Sequence, residues 1–150
     1  ANTAGGLDYL WNAAAGKAGH AAHMAVIANP WQSRTQHQLH LIVKPLDSRG
    51  ASLARKLEKM TKCEPGKWFN LHKFCHYSKA RLFDGMPPVF SEVYKMASHG
   101  RAMGNLISNP QGQWTLASVG IAMLFICNGK PVLVATGNGN GFCSIEHSIA

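Results

Sequence analysis

Charged residues are scarce in this sequence, and no long hydrophobic run is present. Charged residues make up 15% of the 150 residues and apolar residues 46%, against roughly 25% charged residues in average soluble domains. This composition excludes intrinsic disorder for most of the chain and favours a folded, rather apolar body. The longest apolar segment, 116–127, is too short for a membrane-spanning helix and predicts a buried strand.

Cysteine is also rare, and the common catalytic motifs are absent. The four cysteines form no Cys-x-x-Cys pair, which excludes a zinc ribbon and a thioredoxin-type site and leaves one or two disulfides open. No Walker loop, Gly-x-Ser-x-Gly or His-Glu-x-x-His motif occurs, so the function classes that depend on them are excluded. The start at Ala1, without an apolar leader, is what we expect of a processed or trimmed chain.

Acidic residues are few relative to basic ones. Lysine and arginine number 15 against 7 aspartates and glutamates, a formal net charge of +8. This balance favours an anionic partner, such as a phosphorylated small molecule, an anionic membrane surface or nucleic acid. The basic residues are densest in 49–67 but form no long run, so a locally basic cleft is favoured over a nucleic-acid arm. Nucleic-acid binding stays a third hypothesis, and it predicts a steep salt dependence.

Hydrophobic periodicity and breaker residues predict one α+β domain over 1–150, with an antiparallel sheet and flanking helices. The hairpin around Asn128-Gly129 is the firmest unit, because Asn-Gly between apolar strands is a strong turn signal. Ser48 is the expected N-cap of the second helix. The predicted elements are helix 6–22, strand 23–28, strand 38–43, helix 50–62, two short strands or irregular packing in 67–83, helix 89–104 and the hairpin strands 114–127 and 130–136.

The most informative segment is 29–43, in which a loop rich in hydrogen-bond donors leads into a strand that contains His40. Side chains alternate along a strand, so Gln38, His40 and Ile42 share one face and the leucines form the core face. A neutral imidazole beside amide and guanidinium donors can attack phosphorus while the donors neutralise the phosphate oxygens. A half-buried histidine with a purely structural role is the alternative interpretation.

Segment 33–43 resembles the active-site strand of the CDP-diacylglycerol pyrophosphatases, members of the histidine-triad (HIT) superfamily. Their motif runs Arg-Thr-Gln-x-His-φ-His-φ-His-φ, where φ is apolar. Arg34, Thr35 and Gln36 match it, and Asn29 stands six residues before the threonine, as in the family. The resemblance continues, in the same order, through Tyr9-Leu10-Trp11, the helix 89–103 and the segments 120–123 and 132–136. It implies a HIT-like antiparallel sheet with flanking helices.

The resemblance also implies an activity. Members of the family cleave the pyrophosphate of CDP-diacylglycerol to CMP and phosphatidate through a nucleotidyl-histidine intermediate, in which the middle histidine of the triad is the nucleophile. His40 occupies that position here, and the scheme requires no metal or other cofactor. The substrate-binding residues that the resemblance implies are Gln38, Arg34, Thr35, Gln36 and Asn29.

Two triad positions depart from the family, since Gln38 stands at the first and Ile42 at the third. An amide can still donate to a phosphate oxygen, but an isoleucine cannot orient a group by hydrogen bonding. The second hypothesis is therefore a HIT-like module without catalysis that binds a phosphorylated ligand, an anionic lipid or a partner protein. The family resemblance favours an extracytoplasmic or membrane-associated setting, and a second copy or a partner chain is an open alternative.

Other histidines form pairs at short spacing, for which we expect surface or packing roles rather than a metal site, because no third ligand of suitable spacing is visible. A pair near the C-terminus is different, since it could reach the His40 site and orient a catalytic group. The spaced pairs are His20 with His23 and His72 with His76, and the C-terminal pair is Glu146 with His147.

Overall fold

The computed structural model describes residues 7–29, 40–99, 119–137 and 144–150. Helices alternate with pairs of strands along these ranges, and all neighbouring strands of the sheet are antiparallel. The predicted α+β class, an antiparallel sheet with flanking helices, is confirmed. In chain order the elements are α1 (Tyr9–Ala18), β1 (Met24–Ala28), β2 (Ile42–Pro45), α2 (Ser48–Thr61), β3 (Phe69–Leu71), β4 (His76–Leu82), α3 (Val89–His99), β5 (Gly120–Ile126), β6 (Lys130–Gly137) and α4 (Ile145–Ile149).

The sheet has six strands in the order β2-β1-β5-β6-β4-β3 and is covered on both faces. One face packs against α1 and α3, and the other packs against α2 and α4. A strand covered on both sides needs apolar residues at every position rather than at alternate ones. The strand β5 meets this requirement, since Ile121, Met123 and Phe125 face the first layer and Ala122, Leu124 and Ile126 face the second.

The apolar segment predicted as a strand is thus a buried strand over its described part, Gly120–Ile126. Within the ranges given above, no helix has the length and apolar character needed to cross a membrane. Both edge strands, β2 and β3, are only four and three residues long. Short edges leave few unpaired backbone groups for other chains to pair with.

Two contacts fix the helical layer formed by α1 and α3. Trp11 is fully buried and meets Phe90 edge to face, with ring centroids 5.6 Å apart. Asp8 accepts hydrogen bonds from the backbone nitrogen of Phe90 at 2.7 Å and from the hydroxyl of Ser91 at 2.6 Å, which satisfies donors at the start of α3. The helix predicted over 6–22 is shorter than expected, because Gly19 adopts a left-handed conformation that ends it.

The N-cap of α2 is Asp47, so the prediction of Ser48 was wrong by one residue. Asp47 Oδ1 accepts from the backbone nitrogens of Arg49 at 2.9 Å and Gly50 at 3.0 Å, and Ser48 is already helical. Aspartate and serine are both good caps, so the sequence offered two adjacent candidates. Hydrogen bonds from the Arg49 side chain and from the backbone of Gly50 hold the pKa of Asp47 below its ordinary value.

The strand predicted over 38–43 begins later and ends later than expected. It runs from Ile42 to Pro45, with His40 and Leu41 preceding it, while positions 38 and 39 lie outside the described residues. Pro45 ends the strand rather than following it, which is tolerated because β2 is at the sheet edge. The helix predicted over 89–104 is described only as far as His99.

Region 67–83, predicted as two short strands or irregular packing, forms the β3–β4 hairpin. The hairpin predicted around Asn128-Gly129 is confirmed, since β5 pairs with β6 there. The second turn comprises three residues rather than two, since Cys127, Asn128 and Gly129 all have positive φ and Ile126 pairs with Lys130. Asparagine and glycine tolerate this conformation well, as the Asn-Gly signal requires.

A disulfide joins the end of α2 to the β5–β6 turn and settles part of the pairing that the sequence left open. Cys63 and Cys127 are bonded across a sequence separation of 64, with Cα atoms 5.6 Å apart. Glu58 supports the same junction, because its Oε1 accepts from the backbone nitrogen of Cys127 at 3.3 Å. The cross-link closes a long loop and therefore restricts the unfolded chain strongly.

Replacing Cys63 and Cys127 together by serine is expected to lower the free energy of unfolding by about 2–4 kcal/mol, because the unfolded chain regains the entropy of an open loop. Urea unfolding of both proteins under non-reducing conditions measures this difference. An unchanged midpoint would mean that the cross-link does not constrain the unfolded chain.

The start of α2 lies directly against the end of α4. A Cβ atom on Gly50 would stand 2.2 Å from the carbonyl oxygen of Ile149 and 2.8 Å from Leu46 Cδ2. The backbone nitrogen of Asp47 also donates to the Ile149 carbonyl at 2.8 Å. This approach requires a glycine, because a backbone carbonyl cannot move aside as a flexible side chain can.

Gly50→Ala is expected to lower the free energy of unfolding by about 1–3 kcal/mol, since the clash outweighs the better helix propensity of alanine. The matched control is Gly16→Ala in α1, where a Cβ meets nothing within 4 Å. That change is expected to stabilise the protein by up to about 1 kcal/mol. Thermal and urea unfolding compare the two variants, and effects of the same sign would contradict the close helix contact.

Candidate functional site

Asn29 lies where the chain leaves the sheet after β1, and His40 lies just before the chain rejoins the sheet at β2. Asn29 directly follows β1 and is 5% exposed, while His40 is half-buried two residues before β2. Ile27 pairs with Ile42 at the end of the β1–β2 ladder. Asn29 lies two residues beyond that pair on the β1 side, and His40 lies two residues before it on the β2 side. Two residues that the sequence singled out therefore lie at the same end of the β1–β2 ladder.

The packing of the residues after His40 shows which face of the sheet the site occupies. Leu41 and Val43 pack against the α1–α3 layer, whereas Ile42 packs against the α2–α4 layer. Alternation therefore assigns His40, Ile42 and Lys44 to the side of α4. The predicted core face of Leu41 is confirmed. The opposite face is also part of the core at Ile42, because α2 and α4 cover it.

Glu146 of α4 connects the two strand segments. Its Oε1 accepts from Asn29 Nδ2 at 3.0 Å, and its Oε2 accepts from Lys44 Nζ at 3.1 Å. The backbone nitrogen of Glu146 donates to Asn29 Oδ1 at 3.3 Å. Asn29 is thus held through both atoms of its amide, and the carboxylate is paired with an ammonium group.

The local sequence explains how Glu146 reaches the sheet. Ser144 caps α4, with its hydroxyl oxygen accepting from the backbone nitrogen of His147 at 3.4 Å. Ile145 and Ile149, four residues apart, are buried on one side of the helix. These two anchors turn the adjacent Glu146 toward the β1–β2 edge and leave His147 exposed.

The pKa of Glu146 lies below its ordinary value of 4.5. Burial alone would raise it, but hydrogen bonds from Lys44 and Asn29, together with the charges of Lys44 and His147, lower it by more. Glu146 is therefore ionised at neutral pH. The opposite charges of Lys44 and Glu146 balance each other. The exposed fraction is 39% for the Lys44 side chain and 18% for the Glu146 side chain.

The structure brings together part of the predicted site. Asn29 and His40 are described, whereas Arg34, Thr35, Gln36 and Gln38 lie outside the described residues. The hypothesis that the C-terminal pair reaches this region holds for Glu146, whereas the side chain of His147 is exposed and its backbone nitrogen and carbonyl bond to Ser144 and Arg49.

Lys44 was missed by the sequence reasoning. It stands four residues after His40 and so shares its face, but the predicted strand ended at residue 43. The alternation of side chains along the strand could have identified Lys44 if the predicted strand had been continued to Pro45.

The spaced histidine pairs form no ligand cluster. His20 packs edge to face against Phe125 at 5.1 Å, and His23 and His72 are exposed. The side chain of His76 lies outside the described part. Among the described residues, no group of three histidine, cysteine, aspartate or glutamate side chains converges as a metal site would require.

Comparison of the sequence with protein-family models and with curated proteins gives no match. A half-buried imidazole can act as a nucleophile or exchange a proton, and the net charge of +8 favours anionic ligands.

Glu146→Gln is expected to lower stability at neutral pH by about 1 kcal/mol, since it leaves Lys44 without its carboxylate partner and the pair is partly exposed. Because the pKa is lower in the folded state, the stabilisation by Glu146 is complete above about pH 4.5 and is lost as the pH falls through the folded-state pKa. Urea unfolding of both proteins from pH 7 to pH 2.5 should show the difference disappearing in acid. A constant difference across that range would exclude the ionised pair as its cause.

Proposed function

We propose that this chain is a HIT-like domain that cleaves the pyrophosphate bond of CDP-diacylglycerol, or of a related nucleotide, with His40 as the nucleophile. The observation that carries the proposal is that Glu146 holds Asn29 through both amide atoms, while Asn29 and His40 each lie two residues beyond the end of the β1–β2 ladder. These are the positions at which the family motif has its nucleophile and the asparagine that precedes its Arg-Thr-Gln segment.

The reaction takes two displacements in this scheme. A nitrogen of His40 attacks the α-phosphorus of the nucleotide, a P–N bond forms, and the P–O bond to the leaving phosphatidate breaks. Water then attacks the same phosphorus, its proton is released, and the P–N bond breaks to give CMP. His40 is regenerated, so the sum is hydrolysis of one phosphoanhydride bond.

The hydrogen bonds that hold Asn29 support a phosphate-binding role for the segment between Asn29 and His40. The motif residues Arg34, Thr35, Gln36 and Gln38 follow Asn29 and precede His40 in the chain. In the proposed reaction these side chains donate hydrogen bonds to the phosphate oxygens. Because Asn29 is buried and bonded at both amide atoms, the base of this segment is fixed, which favours catalysis by positioned donors.

The Cys63–Cys127 disulfide supports an oxidising setting for the protein. Structural disulfides persist in secreted and extracytoplasmic proteins and are rare in the cytosol. This agrees with the extracytoplasmic or membrane-associated setting that the family resemblance favours, and the net charge of +8 suits an anionic lipid substrate.

Ile42 favours a second candidate function, a HIT-like module that binds a phosphorylated ligand, an anionic lipid or a partner protein without turnover. At the third position of the triad it packs against the α2–α4 core and cannot form a hydrogen bond. Without a hydrogen-bonding side chain at position 42, the imidazole of His40 has one group fewer to orient it. The alternative is therefore a site that binds its ligand without reacting with it.

His40→Asn is expected to abolish release of CMP from CDP-diacylglycerol, by at least about a thousandfold, because the P–N intermediate cannot form. The control is His23→Asn, an exposed histidine at the opposite end of β1, which should retain the wild-type rate. Nucleoside monophosphate release is followed by chromatography, with unfolding midpoints to show that both variants are folded.

Turnover that survives in His40→Asn would refute the nucleophile. Binding of CDP-diacylglycerol by the wild type without release of CMP would select the second candidate. Neither binding nor release would contradict both candidates.

A further inference from the structure

A second region of the protein has the features of an anion site and is not used by the proposed reaction. A cleft of about 470 Å³ opens between α2, the connection of β3 to β4, and α4. Among the described residues, its lining contains three basic side chains and no acidic one. The lining residues are Arg49, Ser52, Leu53, Lys56, Lys73, Phe74, Cys75, Ser148 and Ile149.

The cationic groups converge from two elements. Arg49, Ser52 and Lys56 follow each other at spacings of three and four along α2, so they share one face of the helix. Lys73 comes from the β3–β4 connection, where its backbone has a φ of 62°. A positive φ is uncommon for a lysine, and such residues persist when the surrounding structure determines them.

Two of the donors are fixed before any ligand binds. Arg49 donates to Asp47 Oδ2 from Nη2 at 2.7 Å and from Nε at 3.2 Å, and Nη2 also donates to the carbonyl of His147. Lys56 Nζ donates to the carbonyl of His72 at 3.2 Å, which uses one of its three protons. Preorganised donors lose less conformational entropy on binding.

Asp47 neutralises much of the charge of Arg49, so Lys56 and Lys73 supply most of the positive potential of the cleft. The hydroxyl of Ser52 adds a neutral donor at its border, while Leu53, Phe74 and Ile149 form an apolar wall. A phosphate group suits the lysines and the hydroxyl, and a short carbon skeleton suits the wall.

We propose that this cleft binds a phosphomonoester, either as a free metabolite or as the headgroup of an anionic lipid. Neither His40 nor Asn29 lines the cleft, although α4 contributes to both regions, with Glu146 bonding to Asn29 and Lys44 and with Ser148 and Ile149 lining the cleft. The inference does not depend on the proposed function.

Calorimetric titration with glycerol 3-phosphate and with inorganic phosphate tests the site. All proteins in the titration carry His40→Asn, which removes the proposed nucleophile so that no turnover occurs. The binding result therefore does not depend on whether the proposed function is correct. Replacing Lys56 and Lys73 together by glutamine should weaken binding at least about tenfold, since two charge-assisted hydrogen bonds are lost. The matched control replaces Lys17 and Lys67, both exposed and outside the cleft, and should change affinity by less than about twofold.

Flotation with phosphatidylcholine vesicles that contain phosphatidate distinguishes the two sources. Vesicle binding that requires Lys56 and Lys73 supports a lipid headgroup, whereas binding of glycerol 3-phosphate alone supports a free metabolite. No binding of either probe would overturn the proposal. Equal weakening by the control pair would overturn it as well, because net charge rather than the cleft would then explain the binding.

Discussion

The burial of both faces of the β5–β6 hairpin is the constraint on which the rest of the structure depends. These two strands occupy the centre of the sheet, and nearly every one of their residues is inaccessible to water. A sheet that is apolar on both faces is stable only between two layers, so α1 and α3 must cover one face and α2 and α4 the other. The disulfide then fixes the end of α2 to the turn of the same hairpin.

The small helix α4 connects the candidate sites to this core. Its two isoleucines are buried, its C-terminal carbonyl lies against Gly50 at the start of α2, and its glutamate holds Asn29 and Lys44. A helix of five residues has little intrinsic stability, so its position depends on these tertiary contacts. The geometry around His40 therefore depends on packing between α2 and α4 at some distance from the imidazole.

The shortage of acidic residues has a local as well as a global consequence. The protein has 7 acidic and 15 basic side chains, and most of the carboxylates form defined structural contacts. Asp8 and Asp47 satisfy helix N-termini, Glu92 pairs with Arg81 at 3.1 Å, and Glu146 pairs with Lys44. The excess of basic over acidic residues creates the positive potential that both proposals require, at His40 and in the cleft.

The sequence by itself determined the α+β class, the hairpin around Asn128-Gly129 and the central buried strand, because these follow from local periodicity and turn chemistry. It left the Cys63–Cys127 pairing open, and it stopped β2 one residue short of Lys44. Only the tertiary structure decided that Glu146, 117 positions from Asn29 in the chain, fixes the base of the motif segment, and that Lys73 joins two α2 side chains in one cleft. Such contacts depend on how helices pack on a sheet, and no local pattern of residues encodes the distance between them.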